Sequence, residues 1–260
     1  MRAPSLFMPV MVGLVGLSWA ALMLWQFSPY GRYLDHGRWT EIGFAATICT
    51  AWPSGAIVLP ILLYAGGWLL MLIAMMLPTT LPLLRRFQLM VSARQDRVGL
   101  MGLLVAGYLL MWVIFGVAAH GLDLALHSVV GHAAWLASHA WLVGATVLLT
   151  AGAFQFSALK YRCLDRCRTP LGFIVQHWRG LRPRHEAFRL GLDHGLFCVG
   201  CCWAIMLLMF VVGTGSIGWM LLLGAVMALE KNAPWGRKIS EPLGAALIAW
   251  AGLIAVGNLV

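Results

Sequence analysis

Asp193-His194-Gly195-Leu196-Phe197-Cys198-Val199-Gly200-Cys201-Cys202-Trp203-Ala204-Ile205-Met206-Leu207-Leu208-Met209 opens an apolar run that continues to Val212 without another charged residue. Its apolar residues follow one another without polar alternation, which argues against a half-buried strand. Unpaired backbone groups are not tolerated in hydrocarbon, so a continuous run of this kind predicts a helix and not a barrel strand. At about 100° per residue, Cys198, Cys201, Cys202, Met206 and Met209 fall within roughly a 140° arc, with His194 one turn before Cys198. One helical face thus carries an imidazole, three thiols and two thioethers.

The rest of the chain has the same apolar character. Of its 260 residues 61% are hydrophobic and only 10% charged, with a mean hydropathy of +0.85, whereas soluble domains carry roughly 25% charged residues. The expected fold is an all-α, polytopic transmembrane helical bundle, with residues 1–260 forming a single integral membrane domain. Seven spans are expected, at about 8–27, 61–84, 98–119, 140–159, 195–212, 217–229 and 242–259. The first outlasts a usual signal-peptide core and lacks a small-residue cleavage site, so it is read as a span. The sixth, at thirteen residues, is the shortest. Pro78 and Pro82 each remove a helical donor from the second span, which predicts a kink or local unwinding.

A net charge of +9 in a soluble protein would suggest nucleic acid, but here the basic residues gather between spans, and nothing resembles a nucleic-acid-binding module. With seven spans, sixteen of the eighteen Lys and Arg residues fall on one side, leaving only Arg32 and Arg38 opposite. The positive-inside rule then places the N-terminus in the cytoplasm and the C-terminus outside. Residues 28–60 become an extracytoplasmic loop and residues 160–194 a basic cytoplasmic loop. The thiols lie toward the cytoplasmic boundary. A histidine-bearing segment, with His120, Asp123, His127, His132 and His139, lies outside and reads mainly as interfacial surface.

Three soft-donor groups stand out. His194/Cys198, Cys198/Cys202 and Cys202/Met206 are spaced i,i+4, and Cys198/Cys201 is i,i+3, so their side chains share a face. Cys163 and Cys167 repeat the i,i+4 spacing after the fourth span, at the same membrane face. Met71 and Met75, with Met76 beside them, add thioethers from the second span. Thiolates and thioethers favour cuprous copper, while zinc and iron–sulfur centres also use thiolate. Cysteine and methionine also fill apolar interiors with no further role. Gln155 is expected to hydrogen-bond between helices, and Glu230 to reach headgroups or pair with Lys231.

The motifs Trp68-Leu-Leu-Met71-x-x-Ala74-Met75-Met76-x-Pro78, Gln155…Leu159-Lys160-x-x-Cys163-x-x-x-Cys167-Arg168-x-Pro170 and Gly191-x-x-His194-Gly195-x-x-Cys198-x-Gly200-Cys201-Cys202-Trp203-x-x-Met206 together form a recognisable set. That set resembles the bacterial family described as predicted metal-binding integral membrane proteins, a domain of unknown function sometimes associated with copper handling. The resemblance covers about Ile61 to the C-terminus. Phe154, Ser157 and Ala158 depart from the family pattern around Gln155. The resemblance implies a multi-span bacterial protein that binds metal, and it supplies no reaction.

The expected function is therefore binding of a soft transition metal, copper before zinc or another metal, at the bacterial inner membrane. The candidate ligands are His194, Cys198, Cys201, Cys202 and Met206, supported by Met71, Met75, Met76, Cys163 and Cys167. The expected role is metal homeostasis, transfer, or delivery to a partner metalloenzyme, and non-enzymatic. Two alternatives stand beside it: a membrane thiol–disulfide oxidoreductase pairing Cys163/Cys167 with Cys198/Cys201, and a structural subunit of a larger membrane complex. Stable disulfides are rare in the cytoplasm, which weighs against the first.

Overall fold

A computed structural model describes residues 7–28, 58–132, 134–139, 141–213 and 216–259. Among them every regular element is helical: α1 (Phe7–Gln26), α2 (Val58–Met75), a 3-10 turn (Pro78–Thr80), α3 (Leu81–Met90), α4 (Arg97–His132), α5 (Ala134–Ser138), α6 (Trp141–Phe154), α7 (Ala158–Arg168), α8 (Pro170–His177), α9 (Pro183–Val212), α10 (Ile217–Asn232), a second 3-10 turn (Gly236–Ile239) and α11 (Ser240–Leu259). The expected loop 28–60 lies outside the described residues apart from its ends, as do His36 and Cys49.

Among the described residues, four helical segments are long and apolar enough to cross a membrane: Phe7–Gln26, Arg97–Asp123, Pro183–Val212 and Gly236–Asn258. Two bent pairs, Ala65–Met75 with Pro78–Met90 and Trp141–Phe154 with Ala158–Arg168, raise the number to six if each is one span. The sixth expected run becomes α10, whose 16 residues extend about 24 Å at 1.5 Å per residue, short of a hydrocarbon core of about 30 Å.

The first bend follows from Pro78. Before it, the Leu72 carbonyl accepts from both Met76 N (2.8 Å) and Leu77 N (3.2 Å), a one-turn widening of the kind that marks helix kinks. Thr79 Oγ1 then donates to the Met76 carbonyl at 2.7 Å and Thr80 Oγ1 to the Leu77 carbonyl at 2.8 Å. The same two carbonyls accept the 3-10 bonds of Thr79 N at 3.2 Å and Thr80 N at 3.1 Å, and the chain turns by 41° into α3. The second bend, of 63°, falls where α6 stops and the Ser157 side chain accepts from Lys160 N to begin α7. Residues 160–194, expected as a loop, are mostly helical: Ser157 starts α7, Pro170 starts α8 and Pro183 starts α9.

α9 is the spine of the molecule. It packs along α4 and is flanked by α6, α7 and α10. The approach to α4 is close because Gly191 faces it: a Cβ there would lie 2.9 Å from the Leu104 carbonyl carbon and 3.0 Å from Tyr108 N. Small residues at such crossings let backbones meet where apolar burial alone does not drive association. Ahead of α9, the Glu186 carboxylate accepts from four backbone amides, those of Arg179, Gly180, Leu181 and Arg182, at 2.6–3.1 Å. That cap ties the α8–α9 turn to the first turn of the spine.

Candidate metal centre

The sulfur face of α9 points inward. Cys198, Met206 and Met209 are fully buried, and Cys201 and Cys202 nearly so. Met71, Met75 and Met76 from α2 and its bend, and Cys163 from α7, belong to the same core cluster, with Cys167 packed against it. The three expected groups therefore converge on one core. Cys163 seats directly on α9: a Cβ at Gly200 would stand 2.7 Å from Cys163 Sγ, so the glycine leaves that sulfur its place. The five described cysteines are all free thiols.

Within the cluster the thiols meet one another and the backbone. Cys201 Sγ donates to the Cys198 carbonyl at 3.2 Å and lies 3.3 Å from Cys202 Sγ. Cys198 is the most heavily engaged. Its sulfur is 3.1 Å from the Tyr108 hydroxyl of α4, which also donates to the Met76 carbonyl at 3.2 Å. Lys231 Nζ, at the end of α10, donates to the same sulfur at 2.8 Å and to Thr79 Oγ1 at 3.3 Å.

Tyr108, Thr79 and Lys231 were not among the expected site residues. Lys231 closes the α10 run and reads in sequence as a boundary cation, yet it is buried. The one available signal is its place at the end of a short apolar run, beside Glu230. Glu230 is also buried and does not pair with Lys231. It forms an ion pair with Lys160 of α7 at 2.6 Å, with the two side chains 1% and 0% exposed, and accepts from Ser240 Oγ at 2.8 Å. Gln155 donates within α6 to the Ala151 carbonyl at 3.0 Å, and its Oε1 accepts from Lys160. Arg168 completes the junction by donating to the carbonyls of Glu230, Ala233 and Pro234. Adjacent residues of α10 thus face opposite partners, Glu230 the α7 lysine and Lys231 the α9 thiol.

The donor chemistry fits a soft monovalent ion. Thiols and thioethers line one buried core, and His194, one turn before Cys198, has a buried Nδ1 with no hydrogen-bond partner among the described residues. A buried ring nitrogen without a partner is costly and calls for an explanation; a ligand role supplies one. The ring itself is held between Tyr108 and Phe173, at centroid distances of 5.9 and 5.5 Å. Among the described residues no three His, Cys, Asp or Glu side chains form a ready-made ion cage. Of the outer histidines, His120 bonds the Gly116 carbonyl at 2.8 Å and stacks edge-on against Trp68, while His139 stacks on Trp135.

Neither the curated proteins nor the solved structures contain a match to the chain. A family model does match, over residues 65–254, and it is described as PpoB2: copper chaperone. The matched region includes all ten sulfur and histidine positions of the cluster. With well over half of its length covered, the chain belongs to the PpoB2 family of copper chaperones.

Proposed function

We propose that this protein is an integral chaperone of the bacterial inner membrane, with its N-terminus in the cytoplasm, that holds cuprous ion on the sulfur face of α9 and hands it to a partner metalloenzyme. Cys198, Cys201 and Cys202 are the primary ligands, with His194 and Met206 a turn to either side. Cys163 and Cys167 of α7, Met71 and Met75 of α2 and Met76 of its bend are the supporting donors through which the ion is passed. The observation that carries the reading is that these residues, drawn from three helices, share one buried core in a member of a copper-chaperone family.

The roles follow from ligand softness. Two thiolates suffice for a cuprous ion, and thioethers bind it more weakly, which suits intermediate stations in a transfer. Tyr108 and Lys231 both hold the Cys198 sulfur, so a ligand exchange at this atom begins from a defined position.

The test is elemental analysis of purified full-length protein beside the Cys198→Ser/Cys201→Ser/Cys202→Ser variant. Copper on the wild type and its loss from the triple variant is the expected result. A wild type without copper, or a triple variant with as much, overturns the proposal.

A further inference from the structure

A cleft of about 460 Å³ opens beside the first bend, bounded by Pro78, Pro82, Arg85, Arg86 and Leu89 on one wall and by Asn232 on the other. Each wall stands one residue along the chain from a side chain that bonds in the buried core. Pro78 is followed by the buried Thr79, and Asn232 is preceded by the buried Lys231. Those two side chains hydrogen-bond to each other, and the same Lys231 ammonium donates to Cys198 Sγ. The Lys231–Thr79 bond therefore joins the chain neighbours of the two walls beside the Cys198 sulfur. Arg85 and Arg86 are exposed and the cleft has no acidic lining residue, so its field is positive.

We propose that this cleft is the loading port of the chaperone, built to receive cuprous ion as an anionic thiolate complex, with Lys231 as the movable bolt in front of Cys198. The inference rests on the copper-holding function proposed above and adds the chemical form of the cargo and its route. A cuprous ion held by two thiolates carries a net charge of −1, and soft ligation of this kind is its preferred state. A positive cleft concentrates such an anion and raises its rate of arrival, an effect that salt suppresses. Exchange then proceeds without redox change. The bond from copper to one donor sulfur breaks as the bond to Cys198 Sγ forms, and the Cys198 proton leaves with the departing donor thiol. A second exchange at Cys201 releases the other donor thiol. The charge of −1 is conserved throughout and ends beside the Lys231 ammonium.

The test compares copper loading of full-length protein in neutral-lipid nanodiscs from two donors, the anionic cuprous bis-glutathione complex and the cationic cuprous acetonitrile complex. In the Arg85→Glu/Arg86→Glu variant, loading from the anionic donor should slow about 10-fold or more and lose most of its salt dependence. Loading from the cationic donor should not slow, and final copper per protein should match the wild type. Equal slowing with both donors, or with neither, overturns the port. A defect that appears only when anionic lipid is present assigns the arginines to headgroup phosphate instead and also overturns it. Full copper stoichiometry with no donor discrimination removes the port alone, whereas a wild type that takes copper from neither donor removes the chaperone function with it.

Discussion

Lys231 places an ammonium 2.8 Å from a buried sulfur, with Thr79 as its other partner. A hydrogen bond to a charged group of this kind contributes roughly 1.5–3 kcal/mol, and the benefit is greatest when the sulfur belongs to an anionic copper–dithiolate. Lys231→Met removes the charge and keeps most of the volume. Its cuprous affinity, measured by competition with a chromogenic chelator, should fall about 10- to 100-fold, in keeping with that range. Lys231→Arg retains a cation and should recover part of the loss, although the planar guanidinium does not reproduce the point contact of an ammonium. An unchanged affinity in Lys231→Met would mean that the lysine only fills space.

At the scale of elements, the junction of α7 with α10 decides whether the cluster assembles. Lys160 and Glu230 form a buried pair there, while Arg168 holds the carbonyls at the end of α10. Breaking such a pair strands a charge and costs about 3–5 kcal/mol, while replacing both partners with apolar residues is often close to neutral. Glu230→Leu alone should therefore lower the detergent-solubilised melting temperature sharply and loosen Cys163 and Cys167 from α9. Lys160→Met/Glu230→Leu should recover much of the stability; a double variant as unstable as the single one would refute a pairwise origin. This junction also marks where legibility in the sequence stops. The convergence of Cys198, Cys201 and Cys202 with Cys163, Cys167 and the methionines was readable, because helical spacing sets the faces and the charge distribution brings successive span ends together. The bend at Pro78 was readable from the missing donors. The partners of Glu230 and Lys231 were not, because adjacent residues on a helix point about 100° apart and nothing local says which neighbour each will meet. Tyr108 was equally silent, as a single aromatic in an apolar run carries no spacing signal.

For the whole molecule, the thiol core sits where the end of α10 meets the middle of α9. Cys198 lies fourteen residues before Val212 and Lys231 fourteen residues after Ile217, so α10 returns antiparallel to α9 over about 21 Å to the level of Cys198. α11 starts from that same end, where Ser240 bonds Glu230, and its 20 residues extend about 30 Å, enough to reach the opposite end. The shortness of α10 therefore does not decide where the chain finishes; the direction of α11 does. Arg168, Arg237 and Lys238 cluster near the start of α11, with Arg237 Nη1 3.2 Å from Asp165, and the positive-inside rule predicts that this end faces the cytoplasm. The C-terminus should then lie outside. A periplasm-dependent phosphatase fused after Val260 should be active, and a fluorescent protein that matures only in the cytoplasm should stay dark there. A cysteine introduced at Arg94, in the turn between α3 and α4, should react with a membrane-impermeant thiol reagent only after the cells are opened. The reverse pattern would put the thiol core and its cleft on the outer face, and the cargo would have to arrive from the periplasm.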